Sequence, residues 1–369
     1  MKQDEQLLDW IQLINTENIG PVTFYKLLGR HQTAAAALDE LGSNPRFKIF
    51  PRELARREVE LASSKNIRII PRTSELYPQA LRHIDDAPPL LYAAGNVELL
   101  NRPVSLSIVG ARNASVNGRK TASRIAYDLT NSGVLIISGM ARGIDGAAHK
   151  GAMYANAQNG PTLAVLGTGA DIVYPAENQF LYNQIISQGV VVSEFPLGTQ
   201  PQSGNFPRRN RIVSALSLGT LVVEATMHSG SLITARLALE QGKDVFAIPG
   251  SPQDARSLGP NKLIKDGATL AENAADILEV LSLNNQKQII QYVDKLQKNV
   301  DIPQEQISDD VMPAEKSSVI DCLNSEGVYV DEIIRSSGLG ASEVSLELLK
   351  LEMEGRIERQ PGNKVALIK

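Results

Sequence analysis

From Val104 onward, short and wholly apolar runs alternate with amphipathic stretches, and that alternation decides the fold class. "VSLSIVG" precedes "NGRKTASRIAYDLTNSG", "VLIISG" precedes "ARGIDGAAHKGAMYAN", and "PTLAVLG" precedes "ENQFLYNQIISQG". "VVVSEF" leads through an arginine-rich stretch to a helical run, "GTLVVEA" to "SLITARLALEQG", and "KDVFAIPG" to a final helix ending near Leu283. A strand that is apolar at consecutive positions must be covered on both faces, as in a parallel sheet with helices on either side. Six such strands separated by helices predict an α/β fold with a doubly wound parallel sheet.

The flanks read differently. Residues 1–76 carry apolar positions at helical spacing, as in "EQLLDWIQLINTENIGPVTFYKLLGRH", and predict an N-terminal helical domain. Its Ile19-Gly20-Pro21 turn resembles half of a helix-hairpin-helix motif, in which a helix N-terminus approaches a phosphate. A single copy reads first as a packed helical corner. Tyr77–Asn96 is a proline-broken connector into the sheet domain, which is expected over 77–283. Residues 284–316 are polar and poor in aromatics, a linker. Residues 317–369 hold three helix-like runs and a Gln360–Asn363 turn between strand-like pieces, the order of a winged-helix domain.

Several function classes fall away. No run approaches the roughly 18–20 apolar residues of a membrane helix, and the acidic, amphipathic start is not that of a signal peptide. The single cysteine, Cys322, excludes an internal disulfide and fits a reducing, cytoplasmic setting. With 37 Lys and Arg against 41 Asp and Glu, net charge −4, the chain has no broad basic surface. Any nucleic-acid site must be local.

In doubly wound sheets, ligands bind outside the carboxyl ends of the strands. Here those ends read "GARNAS", "SGMARGIDGAAH", "GTGADIVYP", "SEFPLG", "HSGSLITA" and "PGSPQ". Glycine lets backbone approach a ligand closely, and helix N-termini offer unpaired N–H donors to anions. Arg112, Arg142, Arg208, Arg209 and Arg211 are expected to converge on this edge, so the implied ligand carries several phosphates. No dinucleotide fingerprint or Walker A loop is present, and the four histidines (His31, His83, His149, His228) lack metal-ligand spacing. Neither cofactor nor metal is expected. Asp145 and Glu224 also fall at the edge, where an Asp that caps the following helix is the commoner arrangement. Binding is therefore better supported than turnover. Phe206 within "NFPRRNR" fits equally a stacking platform for single-stranded nucleic acid and a plug beneath the turn. No acidic residue lies between Glu194 and Glu224, which argues that the arginines lack local partners.

In order along the chain, "GARNAS", "SGMARGIDGAAH", "YPAEN", "SEFPLG", "NFPRRNRIVSALS", "EATMHSGSLITARLALEQGKDVFAIPG" and "GPNKLIKDGA" resemble the signatures of the DNA-processing protein A family (DprA/Smf). The resemblance spans roughly Tyr77 to Leu283. It implies an extended Rossmann-like domain that forms a homodimer, binds and protects single-stranded DNA in natural transformation, and hands it to the RecA recombinase. It also implies the helical N-terminal domain (of a SAM or helix-hairpin-helix-like kind) and the C-terminal winged helix. Residue by residue, Gly110 and Arg112 match the family's phosphate-contacting turn, with Ala111 where serine is frequent. Ser138, Gly139, Gly143 and Asp145 match its second turn, with Arg142 in a variable slot. Asn205, Phe206, Arg209, Asn210 and Arg211 match its arginine-rich motif, in which Arg208 fills the open position. Ser229, Gly230, Ser231 and Thr234 match the glycine–hydroxyl turn opposite.

Two other classes stand beside this reading. A Rossmann-like nucleoside-monophosphate phosphoribohydrolase would need a Pro-Gly-Gly-x-Gly-Thr-x-x-Glu turn, where this chain has "HSGSLITA". A scaffold would have no DNA affinity. The winged-helix candidate's second helix, expected over Ala341–Gly355, carries Glu343, Glu347, Glu352 and Glu354 against Lys350, which opposes insertion into a DNA groove.

Overall fold

All six expected strands form, and they build the centre of a nine-stranded sheet of order β1-β2-β6-β5-β4-β3-β7-β8-β9. The computed structural model describes residues 2–44, 46–155 and 161–284. From 319 to 367 it describes all but 324–327, 338, 340–343, 345–346, 349, 353 and 361–363. The chain divides into two compact units, residues 1–114 with 119–296 and residues 115–118 with 297–369.

The six are β3 (Ser105–Val109), β4 (Leu135–Ser138), β5 (Thr162–Val165), β6 (Val190–Ser193), β7 (Gly219–Val222) and β8 (Asp244–Ala247). All pair in parallel. The chain builds outward from β3 through β4, β5 and β6, then returns to β3's other side as β7. The crevice outside the ends of β3 and β7 is therefore the topological switch point, where doubly wound folds bind ligands.

Three further strands correct the sequence reading. β1 (Ile67–Pro71) lies in the segment expected to be helical, and β2 (Leu90–Gly95) in the expected connector. β2 pairs antiparallel with both β1 and β6, so the sheet is mixed. The two-residue β9 (Thr269–Leu270) extends the parallel side next to β8.

Helices cover both faces. On one, α5 (Val116–Asn131), α6 (Ile144–Tyr154) and α11 (Ala274–Asn284) bury Ile125, Leu129, Ile144 and Ile277 against Leu106, Ile108 and Phe246. On the other, α8 (Asn205–Ala215) and α9 (Gly230–Glu240) bury Ile212, Val213 and Ala235 against Val109, Val165 and Val222. Between them in sequence, α7 (Gln179–Gln188) packs Leu181 and Ile185 on Ala164 and Val191. α10 (Leu258–Lys265) leads into β9.

The N-terminal helices are α1 (Lys2–Asn15), α2 (Pro21–His31), α3 (Ala34–Gly42) and α4 (Arg52–Ser64). Trp10, Ile11, Leu13 and Phe24 form their core, with the Trp10 and Phe24 rings edge-on at 5.0 Å. Gly20 caps α2 in an extended conformation and Pro21 takes its first turn, where a missing N–H costs nothing.

In the C-terminal unit, α12 (Val330–Ser337) accompanies a three-stranded antiparallel sheet. Its strands are β10 (Val328–Tyr329), β11 (Ile357–Gln360) and β12 (Lys364–Leu367), in the order β10-β12-β11. Val319, Ile333, Leu348 and Val365 form its core. Within the expected 341–355 helix, Val344, Glu347, Leu348 and 350–352 are helical; residues 341–343, 345–346, 349 and 353 lie outside the described residues, as do the linker from 285 and the turn at 361–363.

Candidate nucleic-acid interface

The site begins where β3 ends. The Ala111 N–H donates to the Glu224 carbonyl at 2.6 Å, which ties the turn after β3 to the one after β7 across the switch point. The Ala111 carbonyl in turn accepts from Ile144 N–H at the start of α6. Gly143 has φ +73°, and a Cβ there would collide with the Ala111 carbonyl. Only glycine fits, because the turns after β3 and β4 meet backbone to backbone.

A buried polar cluster holds the second turn from below. The Arg209 side chain, on α8, is only 4% exposed and donates to the carbonyls of Gly139 and Val165. Its guanidinium fills the space that a Cβ on Gly139 would need. The Asp145 carboxylate accepts from the N–H groups of Gly139 (3.2 Å) and Ala141 (3.4 Å), holding Met140 in a left-handed conformation at φ +56°. Burial pushes the Asp145 carboxyl up, and Arg209 opposes that shift. Burial also pulls the Arg209 guanidinium down to about 10, so it stays charged at neutral pH. His149 lies in the same cluster, 2.7 Å from Thr162 Oγ1. That hydroxyl donates to the Ile136 carbonyl, so it accepts from His149 Nδ1–H. Desolvation, with Arg209 nearby, drives the imidazole down to about 3 and keeps it neutral.

The arginines do not lack partners. Arg211, 7% exposed, places Nε 2.8 Å from Asp86 and Nη2 2.7 Å from Glu194. Arg208 is exposed, lies over the Phe195 ring and reaches Glu194 at 3.5 Å. Arg142 pairs with Glu177. Acids counted only along the local chain leave out Asp86 and Glu177, which the fold delivers from elsewhere. Arg112 is the exposed arginine of the five that makes no ion pair among the described residues, although its charge reaches the buried Asp145 carboxylate. It lies over the Phe206 ring at 5.2 Å.

Phe206 is neither a deep plug nor a free platform. Its ring is partly buried, 5.4 Å from the Tyr174 ring and seated on Gly167. Other expected contact residues turn inward. Ser138 is fully buried and donates to the Ile108 carbonyl at 2.6 Å. Asn205, Ser231 and Thr234 are buried as well. Ser229 caps α9, and Asn210 donates to the Gly230 carbonyl, joining α8 to the start of α9. What the edge presents outward is Arg112, Arg142, Arg208, part of Phe206 and the backbone around Gly110, Gly143 and Gly230, while Gly139 is buried. Tyr174, which is 40% exposed, and Asn178 also stand at this edge; both lie in "YPAEN", a signature whose individual residues carry no obvious phosphate-binding chemistry.

Residues 68–282 match the family of the DNA recombination-mediator protein A, residues 4–60 the DprA-like N-terminal HHH domain, and residues 303–363 the DprA winged helix domain. The chain is 39% identical over 323 residues to Protein Smf of Escherichia coli, covering 87% of this chain and 83% of that one. Among solved structures it resembles DNA processing protein A (DprA) from Streptococcus pneumoniae, with 34% identity and a TM-score of 0.59 over 75% of this chain and 92% of that one. It also resembles DNA processing protein A from Helicobacter pylori, described in its single-stranded DNA binding mode, with 28% identity and a TM-score of 0.53 over 59% and 96% of the two chains.

Proposed function

The chain belongs to the DNA recombination-mediator protein A family, and on that footing we propose that it binds single-stranded DNA along the switch-point edge. Bound there, the DNA is protected and passed to the RecA recombinase in natural transformation. The observation that carries this reading is Arg112, an exposed cation that makes no ion pair among the described residues and rests on an aromatic ring beside glycine turns. Backbone-directed charge next to a ring suits a strand whose bases are unpaired. The titratable groups near the turns favour binding over turnover. Asp145 is engaged by two backbone N–H groups, and His149 is buried and neutral. The protein acts in the cytoplasm as a homodimer, and it cleaves no nucleotide.

Fluorescence anisotropy with single strands of increasing length, matched duplexes and a salt titration tests this. Length-dependent binding that favours single strands is expected. Equal affinity for a blunt duplex would remove the groove, and release of free base from nucleotides would replace it with phosphoribohydrolase chemistry. The recombinase step needs its own assay: faster RecA assembly on protein-coated single strands when this protein is added.

A further inference from the structure

We propose that Tyr174 is the base-stacking platform of this site and the residue through which it distinguishes single strands from duplex. The inference rests on the single-stranded DNA reading above.

Phe206, the aromatic residue that the sequence puts forward, has little ring surface left. Arg112 lies over it at 5.2 Å and Tyr174 against it at 5.4 Å, while a Cβ on Gly167 would stand 2.8 Å from its Cδ1. Its place is that of a buttress. Tyr174 is 40% exposed, and no hydrogen bond engages its hydroxyl among the described residues, so part of its ring faces solvent.

The ring is also held in register with the phosphate-binding turns. Asn178, four residues on, donates to the Met140 carbonyl at 2.9 Å and reaches the Ala141 carbonyl at 3.5 Å. Glu177 pairs with Arg142 on the same turn. The Tyr174–Asn178 loop is thereby fastened to the Gly139–Gly143 turn at two points and, through Phe206, to Arg112. A phosphate on Arg112 and a base on Tyr174 then belong to one short stretch of strand. In a duplex both faces of a base are covered by its neighbours, so this contact is open only to an unstacked base.

The test compares a labelled thymidine oligomer of about 16 nucleotides with an abasic oligomer of equal length, so that phosphate contacts are the same and only the bases differ. The wild-type chain should bind the thymidine strand about tenfold more tightly than the abasic one. Tyr174→Ala should bind both strands equally, at the abasic affinity, and Tyr174→Phe should keep the preference. Retained abasic binding by Tyr174→Ala shows that the variant is folded. An unchanged preference in Tyr174→Ala, or an equal loss for both strands, would overturn the platform. Binding of neither strand by the wild-type chain would overturn the single-stranded DNA reading itself, and the platform with it.

Discussion

Arg112 and Arg209 belong to the same edge and carry the same charge, yet burial gives them opposite jobs. Arg112→Ala should weaken single-strand binding for any base composition and flatten the log–log salt slope by about 0.7. Its melting temperature should stay near that of the parent. Arg209 touches carbonyls rather than solvent, so Arg209→Ala leaves Asp145 facing two N–H groups without its buried counter-charge. Leaving the buried Gly139 and Val165 carbonyls without their charged donor costs about 1–3 kcal/mol, and urea unfolding should read that loss. His149 adds a pH dependence. Its folded pKa of about 3 lies below the ordinary value of 6.5, so as pH falls below 6.5 the unfolded state takes up a proton that the folded state refuses. Stability should decline by up to about 1.4 kcal/mol per pH unit, with the raised Asp145 carboxyl opposing that trend nearer its own range. His149→Gln should flatten the slope of melting temperature between about pH 6.5 and 5. The motifs were legible at this scale because they are local. The burial of Arg209 and the pairing of Arg211 with Asp86 were not, since sequence spacing says nothing about partners more than a hundred residues apart.

Among the elements, the six parallel strands were readable because burial on both faces leaves a run with no polar alternation. β1 and β2 were hidden for physical reasons. β1 exposes Arg68 between buried Ile67 and half-buried Ile69 and ends at a proline, and β2 follows the paired prolines Pro88 and Pro89. Two-residue β9 has no period to detect. The α5–α6 contact is equally invisible in the sequence, yet it can be tested. A Cβ on Gly151 would run into the Ser123 carbonyl of α5, so the two helices approach closely there. Gly151→Ala should force them apart and cost about 1–3 kcal/mol, read as a lower midpoint in denaturant with DNA affinity affected much less.

For the whole molecule, the switch-point edge lies in the first unit. Removal of everything after Asn284 should therefore leave single-strand affinity within tenfold, about 1.4 kcal/mol, of the full chain in the same titration. A larger loss in a truncated chain that stays folded would give the winged-helix domain a direct part in DNA binding. The antiparallel β2 carries a different kind of consequence, one of timing. It is translated roughly a hundred residues before β6, its permanent neighbour. At about 5–20 residues per second, that leaves it many seconds outside the ribosome with one side unmatched. β1, already made and paired with β2 along five residues, covers the other side from the start. In the nascent chain, the edge of β2 that will pair with β6 stays unmatched until β6 has been made.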